Sequence, residues 1–213
     1  MESINAVGVQ NSGHQYLPNL PTIRAGENER SPNQYLMPLT ARVNARDCLE
    51  IGGCDVTELI QRFGSPLYIL DEETLRATCR QYQAAFQQHY PGDYQVLYAS
   101  KAWNCLAVCA IVHSEGLGID IVSGGELFTA LQAGVRPDLL YLHGNNKSQE
   151  ELQLAIDCGC TIVVDNWHEL KILVKLGTTS PDIDNPIRIL VRLTPGIECH
   201  THEYIRTGHL DSK

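Results

Sequence analysis

Between residues 95 and 193 the chain alternates apolar strands of about five residues with helices of about ten, the pattern of β-α units around a parallel sheet. The expected strands are Gln95–Ser100, Leu117–Val122, Leu139–His143, Thr161–Val164 and Ile187–Leu193. Between them the periodicity predicts helices over Asn104–Glu115, Gly124–Ala133, Ser148–Asp157 and Trp167–Leu176. Short right-handed connections of this kind build either an open doubly wound sheet or a closed barrel. The dinucleotide-binding form of the open sheet needs a third glycine at position 121, where Ile121 stands, and Gly116 and Gly118 precede their strand instead of following it. The barrel is therefore the preferred reading. A closed (β/α)8 barrel uses eight strands and eight helices over roughly 250 residues. The fold class expected here is thus α/β, a partial TIM barrel with five strands and four complete helices counted from Gln95. Such a partial barrel leaves strand edges unpaired and an apolar face uncovered, so the isolated polypeptide is expected to associate or unfold.

Upstream, residues 1–40 are rich in Asn, Gln, Gly and Pro and read as a mobile N-terminal extension. Residues 41–66 form a lead-in segment in which Asp55 is placed to cap a helix through Phe63 that Gly64 stops. The barrel portion is expected over 67–213, opening with a strand at Pro66–Leu70 and a helix from Asp71 to about Tyr90. A capping box is not expected at Asp71, because the residue three places on is Thr74 and not Glu or Gln.

Composition excludes several functions. With 43% hydrophobic and 19% charged residues, 213 residues suffice for one globular domain with a substantial core. The net charge of -9, with no cluster of Lys and Arg, argues against a nucleic-acid partner. The longest apolar runs, such as Leu106 to Val112, fall far short of the ~18 residues of a membrane span. No signal segment opens the chain, so a cytoplasmic location without membrane association is expected. The eight cysteines read as reduced core residues, with Cys105 and Cys109 four apart on one helical face. Cys158-Gly-Cys160 lacks the second pair a zinc site needs, and no metal is expected.

Chemistry points to the carboxyl ends of the expected strands, where ligands gather in parallel α/β folds. Lys101 ends the first of them and offers a primary amine able to form a Schiff base, or a lysine that merely snorkels at a strand end. Asp120 lies one β-α unit on and can reach the same edge, or it is a solvated strand-end residue, with Ser123 the better cap for the next helix. His143 and Asn145 follow the third strand; Asn145 and Asn146 could equally make only a turn, with Ser148 capping the helix after it. Arg192 ends the fifth strand, and its planar fork suits Asp120 or an oxygen of a cofactor, a surface ion pair being the alternative. The spacing of His200 and His202 invites a metal reading.

Five runs occur in a fixed order: Tyr98-Ala-Ser-Lys101-Ala; Gly116 to Leu127, which contains Asp120 and Ser123-Gly-Gly-Glu126; His143-Gly-Asn-Asn-Lys-Ser148; Arg192-Leu-Thr-Pro-Gly196; and His200-Thr-His-Glu-Tyr-Ile-Arg-Thr-Gly208, followed by Asp211-Ser-Lys213. Together they resemble the pyridoxal-phosphate decarboxylases of the alanine-racemase-like fold, and within them the branch acting on diaminopimelate. The resemblance covers roughly residue 45 to the end. It implies pyridoxal 5'-phosphate held by Lys101, with Asp120, His143 and Arg192 shaping the cofactor pocket and Asn145, His200 and His202 at the substrate rim. In the family the His200–Gly208 stretch is a loop at that rim, so substrate contact or plain loop structure is expected there instead of a metal. It further implies a small amino-acid substrate, a homodimer for the full-length enzyme, and release of carbon dioxide from meso-2,6-diaminopimelate to give L-lysine. Residues 41–66 would belong with the family's β domain. The family's phosphate cradle, its ring-nitrogen partner and its C-terminal β domain all follow Asp-Ser-Lys, so residues 1–213 alone are expected to be inactive. A relative acting on ornithine, arginine or carboxynorspermidine, and a non-catalytic truncated remnant, are the alternatives.

Overall fold

The computed structural model describes residues 36–179 and 186–196. Most of the expected N-terminal extension, together with His200, His202 and the Asp211-Ser-Lys213 run, lies outside the described residues. The chain divides into two compact units between Thr78 and Cys79.

In the first unit, β1 (Arg42–Val43), β2 (Leu49–Ile51) and β3 (Cys54–Asp55) form an antiparallel sheet in that order. Gly52 and Gly53 connect β2 to β3 with φ of 59° and 79°. Two successive left-handed residues give the turn whose twist matches a hairpin, and only glycine takes both positions freely. Helix α1 (Val56–Phe63) then starts on Asp55, whose carboxylate accepts from the Thr57 and Glu58 backbone N–H groups at 2.8 and 3.4 Å. It stops at Gly64, which has φ 85° and donates its N–H to the Ile60 carbonyl at 2.8 Å, as expected from sequence. One expectation fails here: Pro66–Leu70 is not a strand. It pairs with no other strand among the described residues, and Tyr68 is 93% exposed, so β propensity without a partner yields only extended chain. Helix α2 (Glu72–His89), in which the division between the units falls, is entered through Asp71, whose carboxylate accepts from both the backbone N–H and the hydroxyl of Thr74.

The second unit carries the expected alternation: β4 (Leu97–Ala99), α3 (Leu106–Ser114), β5 (Gly118–Ile121), α4 (Gly124–Gln132), β6 (Leu140–Leu142), α5 (Gln149–Cys158), β7 (Thr161–Val164), α6 (Trp167–Thr179) and β8 (Arg188–Val191). The five strands are parallel and lie side by side in chain order, β4-β5-β6-β7-β8. A doubly wound sheet reverses direction at a switch point. These strands never reverse, so the sheet is wound in one direction, as a barrel wall is.

The core lies between this sheet and its helices. Ile119 and Ile121 of β5, Leu140 and Leu142 of β6, and Ile162 of β7 are fully buried. Opposite them, Val108, Cys109 and Val112 of α3, Leu127 and Ala130 of α4, and Leu152 and Ala155 of α5 recur at helical spacing on one face. Helix α5 ends at Gly159, whose left-handed φ of 80° lets its N–H reach back to the last turn. All seven cysteines among the described residues are free thiols. Cys79, Cys109 and Cys160 belong to the core, as expected, and burial pushes the Cys160 thiol up to about 12. Cys54 is exposed, because the short strand β3 has too few neighbours to cover it.

Candidate active site

Residues paired across a parallel ladder face the same side of the sheet. The register Ala99↔Asp120 and Asp120↔Tyr141 therefore puts these three side chains on one face, opposite the buried Ile119, Ile121, Leu140 and Leu142. Lys101, His143, Asp165 and Arg192 follow the strands at their carboxyl edge.

Lys101 sits in a 3-10 turn, Ser100–Ala102, which cuts the expected first strand short by one residue and leaves the lysine exposed. The turn is anchored from beneath. The fully buried Ser100 donates its hydroxyl to Glu126 Oε2 at 2.8 Å, and the Val122 backbone N–H donates to the same oxygen at 2.6 Å. One carboxylate thus ties the end of β4 to the end of β5.

Asp120 and His143 come together, with Nε2 of His143 3.7 Å from Oδ1 of Asp120. That oxygen is buried and has no hydrogen-bond partner. Burial pushes the Asp120 carboxyl above the usual carboxylate range, His143 and Lys101 pull it back toward the charged form, and Glu126 adds a smaller upward push. Lys101, Asp120 and His143 therefore form one electrostatic cluster. Arg192 does not join it. Its Nη1 lies 3.0 Å from Asp165 Oδ1, across the β7–β8 pair, where the parallel register makes these two residues neighbours. Asn145 stands exposed in a bend, and Ser148 caps α5 with a full capping box to Glu151.

Sequence reasoning passed over three glutamates. Glu126, Glu151 and Glu169 each occupy the third position of their helix, three residues after Ser123, Ser148 and Asn166. Each also reaches back to the preceding β-α unit. Glu126 accepts from Ser100, Glu151 accepts from the Gly124 backbone N–H at 2.8 Å, and Glu169 pairs with Lys147 at 3.0 Å. The Ser/Asn-x-x-Glu spacing recurs at all three sites and was available as a signal.

The family described as pyridoxal-dependent decarboxylase, pyridoxal binding domain, has a model that matches residues 73–213. The chain belongs to this family. A curated diaminopimelate decarboxylase from Synechocystis is 60% identical over 191 residues, covering 86% of this chain and 40% of that protein. The diaminopimelate decarboxylase of Bacillus subtilis is 44% identical over 176 residues, 82% of this chain and 39% of that protein. Among solved structures, the diaminopimelate decarboxylase of M. jannaschii matches with a TM-score of 0.66 at 29% identity, over 76% of this chain and 38% of its own. The Helicobacter pylori diaminopimelate decarboxylase complexed with L-lysine gives 0.64 at 28%, over 74% and 39%. This member of the pyridoxal-dependent decarboxylase family thus spans about 40% of the length of the curated relatives it matches. The five-stranded parallel sheet is a partial barrel of that family's fold. No helix among the described residues is long and apolar enough to cross a membrane.

The cluster fits the family's cofactor chemically. An aldehyde needs an exposed primary amine, which Lys101 offers, and a polar ligand entering the mouth would find the buried, unpartnered Asp120 Oδ1 as an acceptor.

Proposed function

We propose that the protein carrying this chain decarboxylates meso-2,6-diaminopimelate to L-lysine, with pyridoxal 5'-phosphate as cofactor and Lys101 as the residue that holds it. The observation that carries the proposal is the exposed Lys101 within electrostatic reach of Asp120, whose unpartnered Oδ1 lies 3.7 Å from His143 Nε2, in a chain 60% identical to a diaminopimelate decarboxylase. When bound, pyridoxal phosphate supplies an electron sink for the pair left behind as a carboxylate departs. The reaction breaks the bond between Cα and one carboxylate, releases carbon dioxide, and places a proton at Cα.

The chain's own residues act on position and charge. Glu126 fixes the Ser100 turn, and with it the stem from which the Lys101 amine projects. Asp120 offers Oδ1 as acceptor, and burial shifts its carboxyl above the usual range. His143 stands half-exposed at the same mouth and, with Lys101, draws the Asp120 carboxyl toward its charged form. Arg192 is paired with Asp165 and contributes a neutralised edge to the pocket. Asn145 is a rim residue, and His200 and His202 are assigned to the rim on the family resemblance alone. Residues 41–66 are assigned to a lead-in associated with a β domain, 67–213 to the barrel portion. The working enzyme is a homodimer located in the cytoplasm.

The test is release of carbon dioxide from diaminopimelate, ornithine and arginine by the protein that carries this chain, with and without Lys101→Ala. Turnover of diaminopimelate alone, abolished in a folded Lys101→Ala variant, is the expected result. Turnover of ornithine without diaminopimelate, or an active Lys101→Ala variant, refutes the proposal.

A further inference from the structure

Lys147 is the least expected side chain in the second unit. Its side chain is 1% exposed and faces Glu169, itself 5% exposed, at 3.0 Å. The ammonium also donates to the Gly144 carbonyl at 2.6 Å and to the Val163 carbonyl at 2.9 Å. The ammonium thus hydrogen-bonds two carbonyls, one from the loop that follows β6 and one from β7, and meets as an ion pair Glu169 in the first turn of α6, whose Oε1 accepts no hydrogen bond among the described residues. Burying such a pair has a large desolvation cost, and an apolar side chain of similar volume would fill the slot without it. The arrangement is explained by what the amine holds.

What it holds is the segment that carries His143. The His143 backbone N–H donates to the Ile121 carbonyl at 2.7 Å, which places the residue against the end of β5. Gly144 follows with φ 105°, and a Cβ there would stand 3.3 Å from the Val122 carbonyl oxygen, so the backbone turns sharply and passes close to β5. Asn145 and Asn146 are exposed. Among the described residues a further tie is the Lys147 amine on the Gly144 carbonyl, and Glu169 is fixed in turn by its helix, whose first turn Asn166 caps at 2.9 Å.

We propose that Lys147, braced by Glu169, is a positioning residue that holds the His143–Gly144 turn so that the imidazole stays at the mouth beside Asp120. This deepens the functional reading above and rests on it only for the role of His143. Neither Lys147 nor Glu169 touches the reacting groups; the effect runs through the turn.

The experiment uses the protein that carries this chain, with K147M/E169Q removing both charges while keeping side-chain length, so that no lone charge is left buried. Amide hydrogen exchange across residues 143–146 is expected to accelerate about tenfold or more, while the α3 amides stay within about twofold of the parent. Decarboxylation kinetics are expected to show kcat lowered about tenfold with KM unchanged, and no further loss when the pair of changes is added to His143→Gln. Unchanged exchange over residues 143–146 would overturn the proposal, and so would losses that add to those of His143→Gln. Exchange needs neither cofactor nor substrate, so a parent protein without decarboxylase activity would overturn the functional reading and leave the exchange result to decide the role of Lys147. If the double variant does not fold, E169Q alone carries the test: it keeps the amine but removes its brace, about threefold faster exchange of the same amides is expected, and unchanged rates would overturn the proposal.

Discussion

Gly118 opens β5, and a methyl group there has nowhere to go. A Cβ built on its backbone stands 2.5 Å from the Leu139 carbonyl oxygen and 2.7 Å from Leu97 Cδ2. The leucine side chain can swing aside, but the carbonyl belongs to the 3-10 turn Pro137–Leu139, which feeds β6 where Leu140 pairs with Ile119. Since carbon and oxygen normally approach to about 3.3 Å, Gly118→Ala demands a retreat of about 0.8 Å at the start of the β5–β6 ladder. That displacement costs one or two backbone hydrogen bonds at about 1 kcal/mol each, and overpacking adds about 1–3 kcal/mol. Alanine's smaller unfolded-state freedom returns about 0.4–1 kcal/mol, leaving a net loss of about 3 kcal/mol. At about 2–4 °C per kcal/mol for a chain of this size, the thermal midpoint falls by roughly 9 °C. Gly125→Ala is the control, because its Cβ meets only Ser123 Oγ at 3.9 Å inside the first turn of α4. It should gain about 0.5–1 kcal/mol from helix propensity. Circular dichroism melts of the protein carrying each substitution measure both. A Gly118→Ala variant as stable as its parent would refute the steric argument.

Asp120→Asn should raise the thermal midpoint near neutral pH while abolishing or strongly lowering activity. Because burial raises the native Asp120 pKa, its carboxyl favours the folded state at low pH and is lost as a stabilising group as pH rises through the native value, so the advantage of Asn should shrink toward about pH 4; an advantage that grows on acidification would contradict it. Asp55 behaves oppositely. Hydrogen bonds from Thr57 and Asn44 hold its carboxyl down at about 2, so its contribution is complete above its unfolded pKa of about 3.9 and disappears as pH falls from there to about 2. Asp55→Asn should therefore flatten the acid limb of a melt series, and a limb of unchanged steepness would argue against the cap. Leu142→Ala removes a fully buried side chain between β6 and its helices and should cost about 2–5 kcal/mol in urea unfolding at unchanged slope; a cost under about 1 kcal/mol would mean that the core collapses around the gap.

The β-α order was legible because each strand and each helix face carries its own apolar pattern: β7 matches its expected span, Thr161–Val164, residue for residue. At Pro66–Leu70 the apolar run predicts a strand that does not form, for the complementary reason. A strand is defined by a partner, and composition alone cannot say whether one is there. The Gly52-Gly53 dipeptide is a hairpin signal, but its flanking strands, at three and two residues, are too short to show alternation. At the site, Lys101, Asp120 and His143 could be assigned to one edge because each ends or nearly ends a strand of the same parallel set. Arg192 satisfied the same rule and still went elsewhere.

Local pattern by itself determined which segments are strands and helices, that the sheet is parallel, and which side chains reach its carboxyl edge, since these follow from periods of 2 and 3.6 residues and from strand-end placement. Which of those side chains meet was decided only by tertiary register. Asp165 stands beside Arg192 because Val164 pairs with Val191, and Asp120 is left for His143 and Lys101. The burial of Lys147 against Glu169, and of Ser100 against Glu126, was likewise decided by the packing of one β-α unit on the next. Ion pairs between units depend on distances of a few ångströms set by winding and stagger, and no local stretch of sequence encodes them.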